Sequence, residues 1–253
     1  MAFGIPLHMR VYSTEFNFNN MNKRTILIYG ASQGLGRFYY TKLESHPDFK
    51  VIGISRNKPL WAEKHHQWIA ADLSDPFAAR EQVLSSLQET PVDVLLYNVG
   101  IWESRAFESD YSFLKDELSH LYRMIDTNIT SCIFQIQALL PKLLTSPKGQ
   151  IILTGSTSAL DNTRRPEVTF NACKFALRGI TQGLRAGFKD RDLAVTLINP
   201  GSIDTRLEQP TGETNPTQIP MVDLWEILHT LLHLSPGSCP LEINLPSMKD
   251  AEV

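Results

Sequence analysis

The junction at residues 25–36 constrains the fold more than any other part of this chain. A compact β run at residues 25–29 breaks at Gly30, and Gly30-Ala31-Ser32-Gln33-Gly34-Leu35-Gly36 leads into a helix expected over 35–44. Glycines in such a turn permit tight folding and close approach of backbone N–H groups to a pyrophosphate. The helix N-terminus behind them supplies positive partial charge. An ordinary strand-to-helix turn also uses glycines for packing. Three glycines placed after a strand and before a helix favour dinucleotide binding.

Downstream, short apolar runs keep alternating with helical stretches. Strands are expected at 51–54, 66–70, 92–96, 151–153, 193–198 and 241–245. Helices are expected at 78–87 behind Pro76, at 169–188 and 224–234, with two helical stretches between 111 and 144. The run 92–96 is apolar almost throughout, as expected where both faces of a sheet are covered. Repeated β–α alternation predicts parallel strands joined by right-handed crossovers. The fold class is therefore α/β: a single Rossmann-type doubly wound sheet of about seven parallel strands, helices on both faces.

The 253 residues allow one or two domains, and the alternation consumes nearly all of them in one, residues 23–253. Residues 1–22 are expected to be a flexible extension, with Met21 an alternative first residue; an ordered arm is the other possibility. A substrate flap is expected at about 205–221. The formal charge of −3 gives no bulk basic surface for nucleic acid or an acidic membrane. No apolar stretch reaches membrane-spanning length. Cys132, Cys173 and Cys239 form no C-x-x-C pair and no finger spacing, so no disulfide or zinc framework is expected, and a reducing cytoplasmic setting is.

The second strand should choose between dinucleotides. An acidic residue at its end would bind the ribose hydroxyls of NAD and repel a 2′-phosphate. Here it reads Ile54-Ser55-Arg56-Asn57-Lys58. Ser55 can donate to a phosphate and Arg56 can pair with it in a fork, so NADP(H) is favoured. A solvated basic turn is the bland alternative. Asp72, followed by Leu73, can accept from an adenine amino group or cap the next helix, as can Ser74 or Asp75. Asn98-Val99-Gly100 follows the fourth strand, where a ligand should lie.

With these motifs in order, the sequence resembles the short-chain dehydrogenase/reductase family over about residues 23–246. Gly30-x-x-x-Gly34-x-Gly36 matches its glycine pattern, and Tyr97-Asn98-Val99-Gly100 resembles its Asn-Asn-Ala-Gly motif with two substitutions. Asp126-Thr127-Asn128 fits the helix carrying the catalytic-site Asn. Residues 149–156 resemble the strand that ends in the active-site Ser, here Ser156. Asn199-Pro200-Gly201-Ser202-Ile203-Asp204-Thr205 matches the stretch that holds the nicotinamide carboxamide. The resemblance implies a small-molecule oxidoreductase that pairs as a homodimer or homotetramer. The last strand lacks the Asp-Gly-Gly ending common in the tetramers.

One motif is broken. The family's Tyr-x-x-x-Lys reads Phe170-Asn171-Ala172-Cys173-Lys174: the Lys is present, the hydroxyl is not. In the family's usual reaction that Tyr moves the proton at the carbonyl oxygen. The Lys holds the nicotinamide ribose and lowers the Tyr pKa, the Ser binds the oxygen and the Asn supports a water relay. General acid–base catalysis is worth roughly 10²–10⁴-fold, about 3–5.5 kcal/mol. Three readings follow: a reductase of a C=O, C=C or C=N bond whose proton comes from water, the substrate or another side chain; an NADP(H)-binding regulatory protein without turnover; or a non-redox elimination or cyclisation enzyme. Asp161 is a candidate proton donor, and Arg164 and Arg165 can hold an anionic substrate; a solvated charged loop is the bland reading.

Lesser features are weighed against plain packing. His229 and His233 have metal-ligand spacing, but leucines surround them, so an amphipathic helix is expected and no metal site. His65-His66 reads as a surface turn. Lys174 beside Cys173 can lower the thiol pKa, although the position is ordinarily a small helix residue.

Overall fold

The computed structural model describes residues 23–62, 67–160, 165–206 and 216–249. The expected N-terminal extension, His65, His66, Asp161, Arg164 and residues 207–215 of the expected flap lie outside the described residues.

The chain runs β1 (Arg24–Tyr29), α1 (Gly34–Glu44), β2 (Phe49–Ser55), β3 (Gln67–Ala70), α2 (Pro76–Leu87), β4 (Val94–Tyr97) and α3 (Leu118–Ile125). It continues through a π turn (Asp126–Thr130), α4 (Ser131–Thr145), β5 (Gln150–Thr154), α5 (Val168–Phe188), β6 (Ala194–Pro200), β7 (Ile203–Asp204), β8 (Ile219–Pro220), α6 (Met221–His233) and β9 (Glu242–Leu245). Seven strands form one sheet in the order β3-β2-β1-β4-β5-β6-β9, and every neighbouring pair is parallel. The strand order reverses between β1 and β4. Ligands of doubly wound sheets bind at that switch point.

Strand alternation builds two cores. Leu27 and Tyr29 of β1 point to the face covered by α2, α4 and α5, where they meet Val83, Ile136, Leu139 and Leu177. Ile26 and Ile28 point to the opposite face and pack with Tyr39, Leu43, Leu224 and Leu228 of α1 and α6. All four residues of β4 are buried for the same reason. In α6, Met221, Leu224, Leu228, Leu231 and Leu232 are buried at helical spacing, the amphipathic pattern expected of this segment. Among the described residues no helix is long and apolar enough to cross a membrane.

Most elements lie within a few residues of expectation, and two stretches differ in kind. Residues 111–117 hold only a 3-10 turn, Phe113–Lys115, and the helix starts at Leu118. Side chains there bond locally: Arg105 pairs with Glu108 and Asp110, and Tyr111 donates to Asp116 at 2.7 Å. The C-terminal end of the expected flap is anchored. Ile219 pairs with Ile203 across β7 and β8, and Met221 belongs to α6; both are buried.

Candidate active site

The C-terminal ends of β1, β2, β4, β5 and β6 open onto one cleft of about 1220 Å³. Its floor is the glycine turn. Gly30 has φ +77° and Gly34 φ +51°, the left-handed region that favours glycine. A Cβ on Gly30 would lie 2.7 Å from the Asn98 carbonyl oxygen, and one on Gly36 only 2.1 Å from the Gly30 oxygen. Gly36 thus packs behind the turn, while Ser32, Gln33, Gly34 and Leu35 line it. Gln33 precedes α1 without a side-chain cap, which leaves the helix's first N–H groups facing the cleft. Trp61 supports the turn from outside by donating to the Ser32 carbonyl at 2.9 Å.

Around this floor the structure gathers most of the expected binding residues. Arg56, Asp72, Leu73, Asn98, Val99 and Gly100 line one side, and Pro200, Gly201, Ile203 and Thr205 the other. Ser55 uses its hydroxyl locally: it donates to the Asn57 carbonyl at 2.6 Å and accepts from Trp68 at 3.2 Å. It shapes the turn that presents Arg56. Asp72 is tied to Ser74 through both the amide, at 3.0 Å, and the hydroxyl, at 2.9 Å. Asp75, with Pro76 behind it, caps α2.

Asn128 sits one layer back, in the π turn. Its amide donates to the Ile101 carbonyl at 2.7 Å and its oxygen accepts from the Ile101 N–H at 2.9 Å. The turn places the side chain to clamp the loop after β4. Ser156 lines the cleft half-buried, with its Oγ 3.1 Å from the Ser158 hydroxyl and accepting from the Ser158 amide. Lys174 projects from α5 and donates to the Thr154 carbonyl at 3.1 Å. A Cβ on Gly100 would lie 3.3 Å from its Nζ, so the amine sits directly beneath the Asn98–Gly100 backbone. Burial drives its pKa down to about 8. Phe170, one turn earlier, sets its ring centroid 5.4 Å from that Nζ.

Burial decides between the two readings of Cys173 in favour of plain packing. The thiol is fully buried, and its pKa is raised by desolvation; hydrogen bonding to Asn128 and the charge of Lys174 only partly oppose this. It is a packing residue of α5.

Several site residues carry no signal in the sequence. Trp102 and Phe107 line the cleft beside Phe170 and meet its ring edge-on, at centroid distances of 6.5 and 6.1 Å. Phe107 adopts φ +68°, and Arg165 lies 5.3 Å over its ring while also lining the cleft. Glu103 is fully buried, and its Oε1 accepts from the amides of Thr169 and Phe170 at 2.9 and 3.0 Å, capping α5. Glu167 accepts from the Phe107 amide at 2.9 Å. At the mouth, Arg123 donates to His120 Nδ1 at 2.9 Å, so the other ring nitrogen carries the proton given to the Trp102 carbonyl at 2.9 Å. No spacing rule links Trp102–Phe107 to α5, more than 60 residues away.

Residues 24–216 match the family model described as short chain dehydrogenase. This chain belongs to that family. An uncharacterized oxidoreductase of Staphylococcus saprophyticus is 26% identical over 202 residues, 76% of this chain and 83% of the relative. One of Staphylococcus epidermidis is 29% identical over 197 residues, with the same coverage. Among solved structures, serine dehydrogenase from Escherichia coli superposes with a TM-score of 0.71 at 21% identity, covering 87% of this chain and 96% of that one. A blue fluorescent protein from a metagenomic library, in complex with NADPH, gives 0.72 at 22% identity, covering 92% and 100%.

Proposed function

We propose that this protein is an NADP(H)-dependent oxidoreductase that reduces a C=O, C=C or C=N bond of a small molecule without a tyrosine acid. The cleft fits the cofactor on its own geometry: a turn packed so tightly against its own backbone and Asn98 that neither Gly30 nor Gly36 admits a Cβ, uncapped N–H groups at α1 for a diphosphate, and Arg56 for a 2′-phosphate. NADP(H), when bound, supplies the hydride. The solved relative with bound NADPH supports this choice of dinucleotide.

The observation that carries the reading is Lys174. A buried amine, aimed at the Asn98–Gly100 backbone and pushed down to about 8 by its surroundings, is costly unless polar groups of a ligand meet it. Ribose hydroxyls would do so. Asn128 holds the Ile101 backbone, and Ser156 offers an Oγ to a substrate oxygen or nitrogen. Trp102, Phe107 and Phe170 provide an apolar wall for the substrate, with Arg165 at its edge for an anionic group. Because Phe170 donates no proton, water in the open cleft delivers it. Exposed Leu118 and Tyr122 on α3, with Phe175 on α5, support pairing of two copies through this side of the molecule.

Phe170 also favours a second reading, an NADP(H)-responsive binding protein. Mixing the protein with NADPH and a panel of ketones, enones and imines, while following reduced-nicotinamide absorbance, separates the two. Cofactor oxidation with any of these substrates supports a reductase. Tight binding without turnover overturns it in favour of the second reading. Arg56→Glu should reverse the preference between NADPH and NADH; an unchanged preference removes Arg56 from cofactor selection.

A further inference from the structure

His229 and His233 stand one turn apart on α6, and the fold brings them a third imidazole that their spacing does not announce. His46 lies between α1 and β2, and one ring nitrogen from each of the three comes within 4.8 Å of the other two. Ring centroids are 4.3 Å apart for His229 and His233, 5.6 Å for His46 and His233, and 5.9 Å for His46 and His229. The cluster sits where β2 begins, at the N-terminal ends of the strands, opposite the cleft. The last carbonyls of α6 are held there by Arg24, at the start of β1, which donates to Leu232 at 3.0 Å.

We propose that His46, His229 and His233 form a binding site for a divalent transition-metal ion of the zinc class, independent of the active-site cleft. Three imidazoles without a thiolate are a donor set for Zn(II), Cu(II) or Ni(II), and the i, i+4 pair presents two of them on one helix face. The rings are also oriented from behind. His233 Nδ1 is 2.8 Å from the His229 carbonyl, so its N–H donates there and Nε2 keeps the lone pair. Nδ1 of His46 accepts from the Asp48 backbone amide at 3.4 Å and lies 3.7 Å from the Asp48 carboxylate; ligation through Nε2 uses the other tautomer, with Nδ1–H turned to that carboxylate.

Zinc–imidazole bonds of 2.0–2.1 Å at tetrahedral angles set ligand nitrogens about 3.3 Å apart. The three nitrogens, within 4.8 Å of one another, would have to draw together by side-chain rotation to reach that value. Phe49 and Trp225 wall the cluster, at 5.0 Å from the His46 ring and 5.4 Å from the His229 ring. His233 is exposed, which leaves a remaining coordination position to water. An ion here would tie the last turn of α6 to the α1–β2 junction and stabilise the folded state in proportion to its occupancy.

The test uses the full-length protein after removal of metal by a chelator. Co(II) titration should produce visible d–d bands saturating at one equivalent, without the thiolate charge-transfer bands that Cys132, Cys173 or Cys239 would add. With free Zn(II) at about 100 times its Kd, the melting temperature should rise by about 5–10 °C. His46→Ala and His233→Ala should each weaken binding by more than the roughly 10-fold typical of losing an outer-shell partner, and Asp48→Asn by about that amount. The His65→Ala/His66→Ala double variant should bind as the parent does. Melting temperatures of the metal-free variants close to the parent's establish that they fold. Should Co(II) give no d–d bands, or should binding survive both His46→Ala and His233→Ala, the site is refuted and the cluster is aromatic packing.

Discussion

Replacing Phe170 by Tyr restores the one hydroxyl that the active-site pattern lacks, and the structure sets the size of the expected gain. The ring lines the cleft at 7% exposure, with the Lys174 amine 5.4 Å from its centroid. A phenol oxygen would lie beyond that centroid; at an effective dielectric of about 20, unit charges about 5–8 Å apart interact by about 2–3 kcal/mol. That is equivalent to about two pKa units, enough to bring a phenol near 10 toward 8. A general acid so poised contributes roughly 10²–10⁴-fold. Phe170→Tyr should therefore raise kcat for ketone reduction by at least about 10²-fold, equivalent to about 3 kcal/mol of barrier, with little change in NADPH affinity. The assay is NADPH oxidation with simple ketones, with NADPH binding measured separately by fluorescence. Adding Lys174→Met should cancel the gain, because the charge that tunes the phenol is gone. A folded Phe170→Tyr protein that binds NADPH normally yet gains nothing would refute the reasoning. It would mean that the substrate oxygen does not lie near residue 170.

Lys174 also makes a prediction about stability. Its pKa falls from 10.5 to about 8 on folding, so the unfolded chain holds a proton that the native amine has lost between those values. The burial penalty, roughly 3 kcal/mol, applies in full below pH 8 and fades as pH rises toward 10.5. The melting temperature of Lys174→Met relative to the parent should be highest near pH 7 and drop by pH 10; a difference independent of pH would contradict the assignment. Gly36→Ala tests the cradle: its Cβ would meet the Gly30 carbonyl oxygen at 2.1 Å, and neither backbone can give way easily. Weakening of NADPH binding by about tenfold or more and a loss of roughly 1–3 kcal/mol by denaturant unfolding are expected, and a parent-like protein would show that the turn is more pliable than the contact implies.

The strands were legible because β1, β4 and β5 are covered on both faces and so read as unbroken apolar runs. The glycine turn was legible because backbone geometry leaves only glycine at Gly30, Gly34 and Gly36, whatever the ligand. Residues 111–117 misled because the apolar residues there, Phe113 and Leu114, are exposed and bury no face, which spacing alone does not register. Ser55 was expected on a phosphate and instead shapes the turn. Glu103, Trp102 and Phe107 were invisible for another reason: each acts on α5 across a long loop, and nothing local distinguishes a carboxylate that will cap a distant helix from one bound for solvent. His46 is the same case at the N-terminal ends of the strands. Sequence spacing shows ligands on one element, and the third arrives only with the fold.

Phe170 is more than a missing hydroxyl. The Lys174 amine has two protein neighbours that matter, the Thr154 carbonyl and the face of the Phe170 ring. An aromatic face near a desolvated cation is worth roughly 0.5–2 kcal/mol, so the ring helps to keep the amine charged in a place where burial works to neutralise it. A phenol near Lys174 gains acidity from the cation; a phenyl ring has no proton to yield and only holds the charge. The site thus exchanges proton delivery for retention of a cation beneath the Asn98–Gly100 backbone, the position suited to holding a ribose. That exchange costs least when hydride addition creates no localised alkoxide. Reduction of an iminium carbon gives a neutral amine directly, and reduction of a conjugated C=C gives an enolate that solvent protonates. On the reductase reading proposed above, both ask less of this site than an isolated ketone does. For these two substrate classes Phe170→Tyr should change turnover little, in contrast to the gain expected for ketones, and NADPH oxidation assayed with both proteins checks it.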